Sequence, residues 1–157
     1  MLSNFEKVLE FNNAFGVVTH KTPQLNIFDD DEKLVKYRLS LIEEETQELR
    51  DAIKEKNFTE VVDALSDILY VTYGAALSFG IDLDSCFDLV HKSNMSKLCS
   101  TEEEAQQTVK WYKENESKRY DSPKYRKSDD NVHWVVFNES TMKILKNINY
   151  KPVKFEV

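Results

Sequence analysis

The sequence predicts an all-α protein, a bundle of four or five helices with a β-hairpin appended at its C-terminal end. Only 3 of the 157 residues are glycine and 3 are proline, which favours long helices over a loop-rich β fold. Apolar residues recur at helical spacing along most of the first 117 positions. Hydrophobic residues make up 41% of the chain and charged residues 31%, a composition typical of globular rather than disordered proteins.

The first two helices are defined by their apolar spacing and their end residues. Residues 3–15 carry phenylalanine, valine and leucine at helical spacing and stop at Gly16, a residue type common after helix ends. Residues 17–30 form a connection that contains a proline. Residues 31–56 form the longest helix, which begins with acidic residues and ends with lysines, as the helix dipole favours.

Three further helices are predicted before the C-terminal region. Residues 60–79 are apolar on nearly every side, which indicates a central buried helix. Gly80 stops this helix, and a fourth covers about 82–91. A fifth covers about 101–117, with Ser100 and Glu103 expected to form a capping box at its start.

The C-terminal region differs in composition from the helical part. Residues 117–130 are polar and rich in turn-forming types, so we expect a loop, whereas two β-type runs within 132–148 predict a hairpin. An isolated hairpin is marginally stable, so this one must pack on the helices or on a second subunit. We therefore predict two domains, a helical one over 1–117 and a basic extension over 118–157.

The charge distribution restricts the partners that this chain can bind. The net charge is −7, made up of 12 Lys+Arg against 23 Asp+Glu in residues 1–117 and 9 against 5 in residues 118–157. Such an acidic body argues against nucleic acid as a partner. No apolar run reaches membrane-spanning length and the N-terminus does not resemble a signal peptide, so we expect no membrane partner. Cys86 and Cys99 are expected to be reduced, which predicts a cytoplasmic protein, in the host cytoplasm if it is virus-encoded.

Acidic residues fall on the apolar face of the longest helix. At about 100° per residue, Glu45 and Glu48 lie inside the arc defined by the apolar side chains, and Glu44 lies at its edge. Glu43 points the opposite way. A surface helix normally keeps glutamates off its buried face, so these three are candidates for chemistry.

The next helix repeats this pattern. Glu60, Asp63 and Asp67 are spaced i, i+3 and i+7, so they share one face of an otherwise apolar helix. A buried carboxylate is costly unless it is paired or binds a metal, and this helix has no lysine or arginine. Oxygen ligands without histidine or cysteine favour Mg²⁺, with Mn²⁺ as an alternative. A solvated acidic helix explains either cluster alone, but two inward-facing clusters in succession favour a metal site.

The segments LIEEETQELRDAI (41–53) and VVDALSDILYVTYGAALSFGIDLDSCFDLVHKSNMSKL (61–98) resemble the all-α NTP pyrophosphohydrolase superfamily. The closest resemblance is to its MazG-like and phosphoribosyl-ATP pyrophosphohydrolase-like members. The EExxE pattern of this superfamily is matched by residues 44–48, and the aspartate of its ExxD pattern by Asp67. The glutamate of ExxD is replaced by Ala64, so either Asp63 or Glu60 takes over as the fourth ligand.

The resemblance implies cleavage of a nucleoside triphosphate between its α and β phosphates. It implies that Glu45, Glu48, Asp63 and Asp67 bind Mg²⁺ and that Glu44 orients or deprotonates the attacking water, which makes Glu44, Glu45 and Glu48 the catalytic glutamates. Further residues are candidates for substrate binding: Asn13 for the base, and Asn94, Lys97, Tyr125 and Lys127 for the phosphates.

Three alternatives remain open from the sequence. The chain is a phosphoribosyl-ATP pyrophosphohydrolase, a helical binding module without activity, or a di-iron or di-manganese carboxylate bundle. The last normally needs two Glu-x-x-His elements, which this chain lacks. The resemblance and the apolar surface of the third helix also predict a homodimer or homotetramer.

Overall fold

The structure, a computed structural model, describes residues 1–156 and confirms the predicted helical fold with a β appendage. In that range it contains six helices and a three-stranded antiparallel sheet of order β1-β2-β3. The helices are α1 (Asn4–Phe15), α2 (Ile27–Asp30), α3 (Glu32–Glu55), α4 (Phe58–Phe79), α5 (Leu83–Met95) and α6 (Glu102–Asn115). The strands are β1 (Pro123–Lys127), β2 (Trp134–Asn138) and β3 (Lys143–Ile144). The chain forms two compact units, residues 1–86 and 87–156.

Helices α3 and α4 form a helical hairpin that is the centre of the first unit. The Asp31 side chain caps α3 by accepting a hydrogen bond from the Leu34 N–H. Lys56 ends α3 in the left-handed conformation, at φ 57°, and the Asn57 side chain then caps α4. This two-residue connection makes α3 and α4 antiparallel neighbours, so the acidic faces predicted for both helices can meet.

The segment that joins α1 to α3 is tied to the C-terminal end of α4. The His20 and Gln24 N–H groups donate hydrogen bonds to the carbonyls of Leu77 and Phe79, at 2.9 and 3.0 Å. The His20 ring also donates through Nδ1 to the Ser78 carbonyl, at 2.7 Å. These bonds satisfy the last carbonyls of α4, which have no partner within the helix. The short helix α2 lies in the region predicted as connection and was not expected from the sequence.

Helix α4 is buried at its C-terminal end but not along its first half. Gly74, Ala75, Ala76, Leu77 and Ser78 are buried. In contrast, apolar side chains of the first three turns face solvent in the single chain, among them Phe58, Val62, Leu65 and Leu69. The prediction of a central buried helix was therefore wrong for this half in the single chain, because an apolar pattern does not specify what covers it.

In the second unit, α6 packs on the small sheet. The core consists of Cys99, Ala105, Val109, Tyr112, Val136 and Leu145. The predicted hairpin is present as β2 and β3, with Phe137 paired to Ile144. The predicted loop over 117–130 was wrong in part, because β1 lies within it and pairs with β2. Thr101, not Ser100, caps α6 by accepting from the Glu104 N–H.

The compact units are divided differently from the predicted domains. The sequence placed a boundary after residue 117, whereas the structure groups α6 with the sheet and divides the chain after Cys86. The hairpin therefore packs on α6 rather than standing apart from it. Whether residues 1–117 form a domain that folds by itself stays a prediction.

The two cysteines are expected to differ sharply in reactivity. Cys99 is fully buried, its backbone pairs with that of Trp134, and burial raises the pKa of its thiol to about 11. Because the thiolate is the reactive form, Cys99 should not react with a thiol reagent at pH 8 in the folded protein. Cys86 is partly exposed. Titration with Ellman's reagent should therefore give one thiol in native protein and two after denaturation; two rapidly reacting thiols in native protein would contradict the fold of this unit.

Candidate active site

The acidic side of the α3–α4 hairpin contains one carboxylate that differs from its neighbours. Glu45 is half-buried, and its Oε2 atom is inaccessible to solvent and has no hydrogen-bond partner among residues 1–156. Glu44 and Glu48, which flank it on the helix surface, are exposed. A buried carboxylate oxygen without a partner costs free energy, so its retention calls for a functional or ligand-binding explanation.

Helix α4 supplies the opposing side. Asp67 is half-buried and Asp63 is exposed. Ala64, which replaces the glutamate of the family pattern, is almost fully buried. A glutamate at this buried position would have to place its carboxylate away from solvent, and the alanine avoids that cost.

Electrostatics link these five carboxylates. The pKa of Glu45 is raised, first by burial and then by the negative charges of Glu48, Asp67, Glu44 and Asp63, in that order. Asp63 therefore acts on Glu45, whereas Glu60, the other candidate for the missing ligand, is not among the charges that shift this pKa. Several negative charges that raise the pKa of one partly buried carboxylate are typical of sites that bind a cation.

The donor atoms fit a hard divalent cation, although they are not arranged as a finished site. Within residues 1–156, no three histidine, cysteine or acidic side chains converge closely enough to hold a metal ion. The chemistry of the set is nevertheless uniform, since all five groups are carboxylates, the ligand type of Mg²⁺ and Mn²⁺. The buried Oε2 of Glu45, which has no hydrogen-bond partner in the described part of the chain, is the atom that such a cation would satisfy.

Arg38 is a buried charged residue that the sequence analysis did not single out. It lies seven residues before Glu45, on the same face of α3, and is only 5% exposed. Its Nε donates to the Ser78 hydroxyl at 2.9 Å, while its Nη2 is buried without a partner in the described part of the chain. Burial lowers its pKa. Its place on the arc that contains Glu45 was the available signal, because a charged residue on the apolar face of a helix is a candidate for burial.

Asn13, predicted to bind the base, lies on the exposed side of α1 and lines a cavity of about 520 Å³ in the first unit. The cavity also includes His20, Lys21 and Asp82. Because the Nδ1 of His20 donates to a carbonyl, the Nε2 of the neutral ring is an acceptor. Asn12, the neighbour of Asn13, is instead buried. The cavity has polar groups suited to a nucleobase, and the role of Asn13 stays a prediction.

The remaining predicted substrate-binding residues all lie in the second unit. The Nζ of Lys97 donates to the Asn94 Oδ1 at 2.7 Å, so these two residues contact each other. The Tyr125 hydroxyl donates to the Glu102 carboxylate and accepts from the Gln106 amide, each at 3.2 Å.

Lys127 places its Nζ 5.4 Å from the centre of the Trp134 ring. From β1, Tyr125 thus contacts two side chains of α6, and Lys127 contacts a ring of β2. A role of Asn94, Lys97, Tyr125 and Lys127 in phosphate binding stays a prediction.

Comparison with known proteins assigns this chain to a family. The family model described as phosphoribosyl-ATP pyrophosphohydrolase matches residues 8–94, which include all five carboxylates. An uncharacterised protein of Acanthamoeba polyphaga mimivirus is 30% identical, over 98% of this chain and 94% of that protein. The match supports a nucleotide pyrophosphohydrolase type of activity, and the family generally depends on a divalent metal. The chain belongs to the phosphoribosyl-ATP pyrophosphohydrolase family, part of the all-α NTP pyrophosphohydrolase superfamily.

Proposed function

We propose that this protein is a Mg²⁺-dependent nucleoside triphosphate pyrophosphohydrolase that converts an NTP or dNTP and water to the nucleoside monophosphate and pyrophosphate. The observation that carries the proposal is the Oε2 of Glu45, which is buried, has no hydrogen-bond partner among residues 1–156, and belongs to a side chain whose pKa is raised by four further carboxylates. Such a cluster disfavours the folded protein unless a cation is bound, and it lies within the residues that match the family.

The side chains divide into ligands and a water-orienting group. Glu45, Glu48, Asp67 and Asp63 would hold Mg²⁺; Asp63 is preferred to Glu60 because its charge acts on Glu45. The bound cation would offset the charge of the substrate phosphates and favour ionisation of a water molecule. Glu44, exposed at the edge of the cluster, would accept a proton from the attacking water. Attack of that water breaks the α–β anhydride bond, and pyrophosphate leaves.

Replacing Glu48 with glutamine is expected to abolish metal-dependent pyrophosphate release, because the variant keeps the shape of the side chain but loses a ligand charge. We expect a loss of about 100-fold or more. The measurement is pyrophosphate release from each NTP and dNTP with Mg²⁺, Mn²⁺ or EDTA. Glu43→Gln, an exposed change on the opposite side of the same helix, serves as the matched control and should remain active. Equal activity of wild type and Glu48→Gln would refute the proposed site.

Phosphoribosyl-ATP is the second candidate substrate, because the description of the matching family names it. If the wild type binds Mg²⁺ but hydrolyses only phosphoribosyl-ATP, its reaction is phosphoribosyl-ATP hydrolysis and not general hydrolysis of NTPs or dNTPs. A protein that neither binds Mg²⁺ nor turns over any of these nucleotides would be a binding module, an outcome that the Ala64 replacement makes worth testing.

We further propose that the first half of α4 is covered by a second copy of the chain. Phe58, Val62, Leu65 and Leu69 are 79, 52, 49 and 55% exposed, an apolar surface too continuous for a stable monomer. Light scattering should therefore report a dimer or tetramer, and Leu65→Glu should shift it towards monomer. A monodisperse wild-type monomer at micromolar concentration would contradict the proposal.

The proposal also places the enzyme in the cytoplasm, or in the host cytoplasm if the gene is viral. By length and composition alone, α4 could cross a membrane. Three features favour the core helix of a soluble protein instead: it carries Glu60, Asp63 and Asp67, its last turns are buried in the fold, and it packs against α3.

A further inference from the structure

A strongly basic pocket lies in the second unit, between α6 and the end of the sheet. Its volume is about 360 Å³. Four cationic side chains and a single acid line it: Lys97, Arg119, Lys143, Lys146 and Glu116. The family match ends at residue 94, so all five lie outside the region that defines the family. We call this cavity the basic pocket.

Among residues 1–156, no ion pair neutralises the cations of the basic pocket. In the part of the chain that the structure describes, none of the four lies within 4 Å of a carboxylate. Cations elsewhere in the same unit are paired, as Lys110 is with Glu114 and Lys124 with Glu139. Four positive charges around one cavity repel one another, and an anion with several charges would relieve that repulsion.

The side chains are also held in place rather than free in solvent. The Lys97 Nζ donates to the Asn94 Oδ1 at 2.7 Å. The Arg119 guanidinium and the Lys143 ammonium lie 5.3 and 5.5 Å from the centre of the same Tyr120 ring. Cation–π contacts of this kind orient a cation without reducing its charge. The pocket therefore presents organised, uncompensated donors of the kind that bind phosphate oxygens.

An aromatic surface adjoins these donors. Trp111 lines the basic pocket and remains 44% exposed, with its ring edge-on to Tyr112. The Tyr112 hydroxyl donates to the Lys146 carbonyl at 3.0 Å, which fixes the second ring. A neighbouring cavity of about 350 Å³ shares Trp111, Tyr112 and Lys146 and adds Tyr150. An exposed indole beside phosphate-binding cations is suited to stacking on a nucleobase.

We propose that the basic pocket binds an oligophosphate, either the phosphate chain of a nucleotide with its base against Trp111 or free pyrophosphate. The binding needs no metal, which separates it from the carboxylate cluster of the first unit. A long nucleic acid is disfavoured, because the cavity is small and the chain carries a net charge of −7.

The test measures binding by calorimetry with the full chain in EDTA, where the carboxylate cluster repels phosphate. The probes are inorganic triphosphate, pyrophosphate and ATP. The variant Lys143→Gln/Lys146→Gln should bind triphosphate about tenfold more weakly than wild type, since two close charges are lost. The control Lys110→Gln/Lys124→Gln, which removes two paired cations outside the pocket, should bind like wild type. Glu48→Gln should also bind triphosphate like wild type. This binding test is therefore independent of whether the carboxylate cluster is catalytically active.

Trp111→Leu separates the two sources of the ligand. If Trp111→Leu binds ATP more weakly than wild type but binds triphosphate equally well, the ligand is a nucleotide. If the variant binds both as tightly as wild type does, the pocket binds the oligophosphate without contacting the base. Thermal unfolding checks that each variant is folded; if the double lysine variant is not, Arg119→Gln replaces it. Three results would overturn the proposal. The wild type binds none of the probes in EDTA, the pocket and control variants bind equally, or the protein binds an oligonucleotide without terminal phosphates tightly.

Discussion

Glu45→Gln is expected to stabilise the metal-free protein while it abolishes the Mg²⁺-dependent reaction. The substitution keeps the shape of the side chain and removes a charge that is partly buried and repelled by Glu48, Asp67, Glu44 and Asp63. Without metal this charge opposes folding, so the melting temperature in EDTA should rise. With Mg²⁺ the wild type should gain stability by binding, whereas the variant should gain little and lose about 100-fold or more of any activity.

The pH dependence gives this prediction a second measurement. The folded state raises the pKa of Glu45 above its ordinary value, so the folded protein binds this proton more tightly than the unfolded chain. Below the ordinary carboxyl pKa, Glu45 is protonated in both the folded and the unfolded state. It is then uncharged and does not destabilise the folded protein. As the pH rises through the raised value, the favourable contribution of the proton is lost and the wild type becomes less stable than Glu45→Gln.

Melting curves in EDTA over a pH series should therefore diverge towards neutral pH and converge in acid. Glu43→Gln, an exposed change that leaves the cluster intact, should follow the wild type throughout. A Glu45→Gln variant that is less stable than wild type at neutral pH in EDTA would show that Glu45 has a structural role, which would contradict the metal site.

The helices and the acidic cluster could be predicted because both depend on local periodicity. The 3.6-residue repeat placed α3 and α4 within about two residues of their observed ends, and the same repeat put Glu45 on the inner face. Arg38 lies on that face too, but the apolar arc was built from hydrophobic residues alone, so a buried cation did not enter it. Ile53, included in that arc, is 60% exposed.

Features that depend on distant parts of the chain could not be predicted in this way. Strand β1 has the sequence PKYRK, with only Pro123 buried, so its composition indicates a loop. It is a strand because its backbone pairs with β2, with Tyr125 opposite Val136. The exposed apolar half of α4 is a similar case. Its apolar pattern predicts that this surface is covered, but it does not predict whether another part of this chain or a second copy covers it.

The largest effect on stability is expected for Gly80→Ala. Gly80 ends α4 at φ 74°, a left-handed conformation that costs a residue with a Cβ atom about 1 kcal/mol or more. Here the added Cβ would also lie 1.9 Å from the Thr22 carbonyl oxygen and 3.1 Å from the Pro23 nitrogen. Both are backbone atoms, and the hydrogen bonds from His20 and Gln24 to the end of α4 keep this segment from moving away.

Gly16→Ala provides the matched control, because it separates the conformational cost from the steric one. Gly16 ends α1 at φ 67°, but a Cβ there would meet no atom within 4 Å. We expect it to lower the free energy of unfolding by about 1 kcal/mol, and Gly80→Ala to lower it by about 3 kcal/mol or more, or to prevent folding. Urea unfolding of both variants measures the difference. Equal losses would mean that residues 20–24 yield easily, and that the contact between this segment and the end of α4 does not hold the first unit together.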